Sequence, residues 1–183
     1  MARAKYIPKL LQLFRDYGYD GATLAKISKA TGLGKASLYH HFPGGKDEMV
    51  DAILDDLDRV ASEDILQALR SDGDAQTRLK KMCDGIANLF EGGKQPCLFA
   101  ILLMGSSRDV FHDKVEMLLR NWINAIAEVL ILEGLDKSLA VERGEDAVLA
   151  IEGALILSQG LNDFGAFQRV IRQLPEKLCQ DLV

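Results

Sequence analysis

Apolar residues along this chain recur at steps of three and four through nearly every segment. This spacing places them on one face of an α-helix, whereas a half-buried strand alternates apolar and polar positions. No stretch of the sequence shows a sustained alternation flanked by hairpin turns. We therefore expect an all-α protein of about nine helices.

Three short helices are predicted at the amino-terminal end of the sequence. The first covers about residues 3–17 and ends at Gly18. Thr23 is placed to cap a second helix, which Gly32 stops, and a third covers residues 35–41. Two short helices that meet at a tight glycine turn fit a helix-turn-helix.

Longer helices are predicted for the rest of the chain. Their expected spans are residues 47–69, a helix that ends at Gly92, then 96–105, 109–133, 141–160 and 164–178. The helix that opens at Pro96 is apolar all round and is expected to be enclosed. The last two helices hold more apolar residues than a small core needs, so we expect them to face a partner.

Composition limits the class of protein and its compartment. The 183 residues, 48% of them hydrophobic, are enough for one compact unit or two small ones. The longest apolar run, residues 97–104, is shorter than the roughly 18 residues that a membrane span needs. The first residues do not have the pattern of a secretory leader, so a cytoplasmic protein is expected. Three cysteines without CxxC spacing indicate neither a disulfide framework nor a zinc site.

Charge is distributed unevenly along the sequence. Residues 1–46 hold eight basic and two acidic residues, a formal charge of +6. Because the whole chain has a net charge of −5, the remaining residues carry −11. A basic head on an acidic body concentrates attraction for polyanions at one end of the chain. An ordinary solvated lysine face has the same composition, so charge alone indicates little.

The residue types in the predicted helix-turn-helix suit duplex DNA. Ser28 supplies the small residue that is needed four positions before the turn at Gly32, where the two helices touch. Lysines bind phosphates or guanine acceptors, hydroxyls bind phosphate oxygens, and small side chains let a helix enter the major groove. The residues left on the outer surface of the third helix, which is the second helix of the motif, are Lys35, Ala36, Ser37, Tyr39 and His40.

The segment GYDGATLAKISKATGLGKASLYHHF, with the lysine of FPGGK, resembles the TetR family of one-component bacterial transcriptional regulators. The shared features are the threonine at Thr23, the turn glycine at Gly32 and the LYHHF segment. The resemblance implies a helix-turn-helix DNA-binding domain over residues 1–46 and a helical ligand-binding and dimerisation domain over residues 47–183. A helix from about residue 47 would bridge the two domains.

The resemblance also implies partners and roles for particular residues. A homodimer formed through the last two helices would bind a double-stranded DNA operator, and a small molecule would release it. Thr23, Tyr39 and Lys46 would hold phosphates. The residues that would approach bases or neighbouring phosphates are Ala25, Lys35, Ala36, Ser37 and His40.

Two features depart from the common form of the family. Gly34 stands where a serine cap is frequent, which weakens the third helix and lets its backbone approach DNA closely. The FPGGK link is one residue longer than usual, and it resembles a branch that includes repressors of drug exporters responding to lincomycin-like or flavonoid ligands. A small apolar or aromatic effector is therefore expected. Its candidate contacts, which core packing would equally explain, are Phe90, Phe99, Met104, Phe111, Met117, Trp122 and Leu155.

Other kinds of site have weaker support. GLGKAS lacks the first glycine of a phosphate-binding loop, because position 29 is Lys29, and no strand precedes it. Adjacent histidines, such as His40 and His41, point about 100° apart on a helix and do not clamp one metal ion. No catalytic residues, metal or cofactor are assigned. Two alternatives stay open: a helical ligand-binding protein in which DNA binding is secondary or lost, and a redox role for Cys97 beside Pro96.

Overall fold

A computed structural model describes residues 3–180 and 182 of the chain, and the described residues contain helices but no strand. The all-α prediction is confirmed. The α-helices are α1 (Ile7–Gly21), α2 (Leu24–Thr31), α3 (Lys35–His41), α4 (Gly45–Val60), α5 (Ala75–Leu89), α6 (Leu98–Leu102), α7 (Arg108–Leu132), α8 (Lys137–Leu161) and α9 (Gly165–Leu178).

Side-chain oxygens cap three of these helices at their amino ends, where backbone N–H groups lack helical partners. Thr23 accepts a bond from the Lys26 N–H at the start of α2. Asp74 accepts from the Thr77 N–H at 2.7 Å before α5, and Asp136 accepts from the Ser138 N–H at 2.8 Å before α8. The cap predicted at Thr23 is confirmed, and Asp136 starts α8 four residues earlier than expected.

Helix α1 differs from its prediction at both ends. Ala4–Tyr6 forms a 3₁₀ turn, and α1 begins at Ile7. Gly18 does not end the helix, because the chain turns there with φ 66° and ψ 178° and continues to Gly21. A positive φ is accessible to glycine at little cost, so Gly18 makes a kink where a terminus was expected.

Helix α4 continues into a segment that the sequence pattern does not distinguish. Ala61–Leu66 is π-helical, and a last α-turn, Gln67–Leu69, follows. The predicted end near Leu69 is confirmed. A π-helical turn adds a residue to the helical repeat and therefore rotates the side chains that follow it.

The chain divides into two compact units, called here the head unit and the body unit. The head unit contains the residues up to Arg59 together with Leu98–Val115, and the body unit contains Val60–Cys97 and the residues from Glu116 onward. The boundary predicted between residues 46 and 47 lies inside the head unit, at the start of α4.

The head unit packs α1, α2 and α3 around buried apolar side chains. Its fully buried residues include Leu10, Phe14, Ile27, Leu38 and Phe42. The segment Leu98–Val115 belongs to this unit, and α6 packs on α1. Of α6, Leu98 and Leu102 are buried while Phe99, Ala100 and Ile101 are half-buried, so this helix is less enclosed than predicted.

The body unit is built mainly from α5, α8 and α9, with α9 packed on both of the others. Its core includes Leu79, Ile86, Ile151, Leu155 and Phe167. Within the described part of the chain, no helix is long and apolar enough to cross a membrane.

Candidate nucleic-acid interface

Two hydroxyl groups hold the turn between α2 and α3. α2 ends at Gly32, whose φ of 75° lies in the left-handed region that glycine enters without strain. Ser28 Oγ donates to the Leu33 carbonyl oxygen at 2.5 Å, and Thr31 Oγ1 accepts the Leu33 N–H at 3.3 Å. The sequence predicts the small residue at position 28 but not the bond from Ser28 to Leu33, which ties α2 to the residue after the turn.

Helix α3 presents most of its side chains to solvent. Leu38 is buried and anchors the helix on the head-unit core. The residues predicted to face DNA from this helix are all exposed; they are Lys35, Ala36, Ser37, Tyr39 and His40. Gly34 precedes them in an extended conformation, with φ −70° and ψ 161°, and offers no side-chain cap. An exposed helix with small side chains and a lysine in its first turn is suited to entering a major groove.

Thr23 and Ala25 are exposed at the start of α2. The Thr23 hydroxyl accepts the Lys26 N–H at 3.4 Å, and a hydroxyl that accepts one bond still has its own proton to donate. Together with α3, these positions leave eight of the nine predicted DNA-contacting residues exposed. Their contact with DNA remains a prediction.

Lys46 is the ninth, and its surroundings differ because it is half-buried. Its Nζ donates to the Tyr19 carbonyl oxygen at 2.9 Å and lies 4.2 Å from the centroid of the Tyr19 ring. The Tyr19 hydroxyl donates to Asp47. Burial, and then the bond to Asp47, raise the pKa of Tyr19 to about 12, so this hydroxyl stays a donor across the working pH range.

Glu48 and Arg3 are interface neighbours that sequence reasoning missed. Glu48 Oε2 accepts the Gly44 N–H at 2.7 Å, and Glu48 Oε1 accepts from Arg3 Nη1 at 2.7 Å. The Arg3 guanidinium also lies 5.5 Å from the centroid of the Phe42 ring. A glutamate four residues after the glycine that precedes a helix resembles a capping signal, and it was the available clue to this arrangement.

The side chains predicted to contact an effector are divided between the two units. Phe90, Met117, Trp122 and Leu155 belong to the body unit; Phe99, Met104 and Phe111 belong to the head unit. Phe90, Phe111 and Leu155 are buried. Met104 is 72% exposed and Met117 is 49% exposed, while Phe99 and Trp122 are half-buried. The structure does not bring the seven together in one compact unit, and the effector pocket remains a prediction.

A groove of about 430 Å³ lies between α5 and α9 in the body unit. Its lining carries both signs of charge, with Lys80 and Arg172 beside Asp84 and Glu176. The Phe167 ring lies at this groove and packs edge-on against Phe90, with ring centroids 6.3 Å apart. Its mixed polar lining differs from the apolar walls that the sequence predicts for an effector site.

Two polar side chains of α8 contact the segment that follows α5. Gln159 Nε2 donates to the carbonyl oxygens of Gly93 and Lys94, at 3.1 and 3.0 Å. Glu152 is half-buried, and burial raises the pKa of its carboxyl, while a hydrogen bond with Cys97 opposes that shift. Both side chains therefore have partners within the body unit.

The buried thiols and the acidic side chains give no sign of a reactive cysteine or a metal site within the described residues. Cys83 and Cys97 are buried, and burial raises the pKa of the Cys83 thiol to about 12, which keeps it protonated. Among residues 3–180 and 182, no group of three or more His, Cys, Asp or Glu side chains is arranged to hold a metal ion.

Two family profiles match this chain. The profile of the bacterial regulatory proteins of the tetR family matches residues 10–53. The profile of the LmrA/YxaF-like transcriptional regulator C-terminal domain matches residues 75–173, which is more than half of the chain. The first match covers most of α1 to α4, and the second covers most of the body unit together with Leu98–Val115 of the head unit.

Individual proteins are similar over different lengths. The HTH-type transcriptional regulator LmrA of Bacillus subtilis is 26% identical over 165 residues, covering 86% of each chain. The biofilm operon icaADBC HTH-type negative transcriptional regulator IcaR of Staphylococcus aureus is 48% identical over 42 residues, 23% of each chain. A TetR transcriptional regulator from Legionella pneumophila superposes with a TM-score of 0.82 at 18% identity, over 97% of both chains. That last likeness shows the fold.

Proposed function

This chain belongs to the TetR family of bacterial transcriptional regulators, and from that membership we propose that it is a homodimeric repressor released from its operator by a small ligand. DNA binding and transcription regulation follow from the family, whose members are regulators and not enzymes. The observation that carries the proposal is the exposed α3 surface beside the turn that Ser28 closes. We place this activity in the bacterial cytoplasm, where the DNA lies.

Residues 1–46 would form the DNA-binding domain, and residues 47–183 the ligand-binding and dimerisation domain, with α4 linking them. Thr23, Tyr39 and Lys46 would hold phosphates. Gly34 would let the α3 backbone approach the duplex, and the α3 surface with Ala25 would face the bases. Repression is supported by the similarity to IcaR, a negative regulator.

The dimer would form through α8 and α9. Support comes from α8, where Leu149, Gly153, Ile156 and Gly160 follow one another at helical spacing on an exposed face. Leu149 is 74% exposed and Ile156 is 63% exposed. An apolar stripe of this kind on a helix with small residues between the large ones allows close packing against a second copy.

The effector would be a small apolar or aromatic molecule. A ligand that binds better to a state with wrongly spaced heads shifts the equilibrium away from the DNA-bound state. The apolar character of the predicted walls, such as Phe90 and Leu155, supports this class of ligand.

The first test is fluorescence anisotropy of the purified protein on the duplex upstream of its own gene, compared with scrambled duplex across a salt series. We expect saturable binding that prefers the native duplex, with two chains per site. Equal affinity for both duplexes at every salt concentration would favour the alternative, a ligand-binding helical protein in which DNA binding is secondary or lost.

Single substitutions test the division of roles among the predicted contacts. Lys46→Ala should weaken binding to every duplex and, with two copies per dimer, reduce the salt slope by about 1.8. Ser37→Ala and His40→Ala should instead reduce the preference for the native duplex by roughly tenfold. The same anisotropy titrations measure both effects, and equal losses on all duplexes from the three variants would contradict this assignment.

A further inference from the structure

Lys46 is held in place before any DNA arrives. A lysine side chain on a protein surface samples many rotamers, and fixing it costs conformational entropy. Here Nζ contacts one residue twice, at the Tyr19 carbonyl oxygen (2.9 Å) and over the Tyr19 ring (4.2 Å). An ammonium group has three N–H donors, so the bond to one carbonyl oxygen leaves donors for a phosphate.

Tyr19 also contacts the residue next to Lys46. Its hydroxyl donates to Asp47, in the first turn of α4. The carbonyl and ring of Tyr19 therefore hold Lys46, while its hydroxyl holds the side chain of the next residue, Asp47. Residues 27 positions apart in sequence are joined at the start of α4.

Tyr19 is itself held by the rest of the head unit. Its ring centroid lies 6.4 Å from that of Phe14 and 5.9 Å from that of Phe111, against which it packs edge-on. The next residue, Asp20, accepts a hydrogen bond from Ser106 Oγ at 2.6 Å. The segment Leu98–Val115 thus supports Tyr19 at the ring and at the following residue.

We propose that Tyr19 is a positioning residue that pre-organises Lys46 for its phosphate contact, with Phe111 holding the Tyr19 ring in place. This inference rests on the proposed function, because it requires Lys46 to bind DNA. Pre-organisation raises affinity by removing the ordering cost that a free lysine has on binding. A displacement of Leu98–Val115 would therefore move the Tyr19 side chain, and with it Lys46 at the start of α4.

The test is a double-mutant cycle in the full-length protein. Wild type, Tyr19→Leu, Lys46→Ala and the double variant are titrated onto the native upstream duplex by anisotropy. We expect Tyr19→Leu to weaken binding roughly tenfold when Lys46 is present, from the ordering of two lysines per dimer, and to have little further effect in the Lys46→Ala background. Tyr19→Leu and Tyr19→Phe both keep the main-chain carbonyl of residue 19, but Tyr19→Phe also keeps the ring and should bind within about threefold of wild type.

The chain offers a matched control at Tyr17. It is also on α1, and Lys26 Nζ lies 3.8 Å from the centroid of its ring. Tyr17→Leu removes a similar aromatic–lysine contact, so its effect should be the same whether residue 46 is Lys or Ala. Thermal unfolding of each variant checks that the head unit is folded.

Each other outcome has a definite meaning. Equal losses from Tyr19→Leu in both backgrounds would show that Tyr19 only supports the fold, and would overturn the inference. If wild type binds DNA but Lys46→Ala changes neither affinity nor salt slope, the inference fails while the regulatory function stands. If wild type does not bind the upstream duplex or any duplex selected from a random pool, both fail together.

Discussion

At the residue scale, Gly34 leaves α3 without the side-chain oxygen that usually caps a helix. Its φ of −70° is open to any residue, and no atom lies within 4 Å of the position that a Cβ would take. Serine there would accept a backbone N–H of the first turn and would restrict the unfolded chain. We predict that Gly34→Ser raises the free energy of unfolding by about 0.5–1 kcal/mol, or the melting temperature by roughly 1–4 °C.

The matched control is Gly32→Ser, two residues earlier. The positive φ at Gly32 strains any other residue, so this variant should lose about 1 kcal/mol in the same thermal or urea unfolding experiment. Stabilisation by both variants, or by neither, would contradict the assignment of their backbone conformations.

Tyr19 gives the head unit a specific dependence on high pH. Its pKa is raised to about 12 in the folded protein, first by burial and then by the bond to Asp47, whereas an unfolded tyrosine ionises near pH 10. Above pH 10 the unfolded state releases this proton and the folded state keeps it, so stability falls as pH rises towards 12. Below pH 10 the contribution is fully present.

Urea unfolding at pH 8 to 11 checks this expectation. The free energy of unfolding of wild type relative to Tyr19→Phe should fall as pH rises above 10. A difference that stays constant over this range would mean that the hydroxyl has no raised pKa in the folded protein.

Single residues were predictable where the signal is local. Thr23 caps the helix that follows it, and Gly32 ends that helix, because caps and turns depend on neighbouring backbone groups. The bond between Lys46 and Tyr19 has no such signal, since it joins residues that only the folded head unit brings together. Lys46 was predicted as a DNA contact, but what holds it could not be.

At the element scale, α8 carries large apolar side chains, Leu149 and Ile156 among them, that are exposed within one chain. Ile156→Glu places a charge in the middle of its exposed stripe. If that stripe forms the dimer, an unpaired glutamate would be buried in the interface, and we predict a dimer dissociation constant at least about 100-fold higher. Size-exclusion chromatography with light scattering across protein concentrations measures this.

Leu132→Glu is the control for the α8 variant. Leu132 is 75% exposed at the end of α7 and is not part of the stripe, which begins at Leu149 on α8, so this substitution should leave the dimer intact. Neither residue is buried within one chain, and melting of the monomer should change little in both variants. An Ile156→Glu protein that remains dimeric at low concentration would exclude α8 as the interface.

Helices were predictable as elements, and their irregularities were less so. The three–four spacing of apolar residues marks nearly every helix because burial of one face stabilises it. Glycine has two meanings that the sequence does not separate: Gly32 ends α2, whereas Gly18 kinks α1 and the helix continues. The π-helical segment Ala61–Leu66 was not predicted, because its buried residues Ala61 and Ile65 are four positions apart, a step that an α-helix also allows.

At the scale of the whole molecule, the sequence predicted the all-α class and the basic amino-terminal end. It did not predict which segments belong to which compact unit. Nothing in the composition of Leu98–Val115 assigns it to the unit that contains α1, because that assignment depends on packing between segments about 80 to 90 residues apart. Its apolar residues predict burial without naming the surface that they cover.

This discontinuity of the head unit bears on how regulators of this kind can exchange parts. If the DNA-binding part were cut from the chain after α3 or α4, it would lose Phe111 and Ser106 and would expose the side of α1 that they cover. A hybrid that joins this DNA-binding part to the ligand-binding part of a relative therefore needs three crossovers, near residues 59, 97 and 115, so that residues 98–115 stay with the DNA-binding part. In natural recombination, the single-crossover exchange would be the one that selection removes.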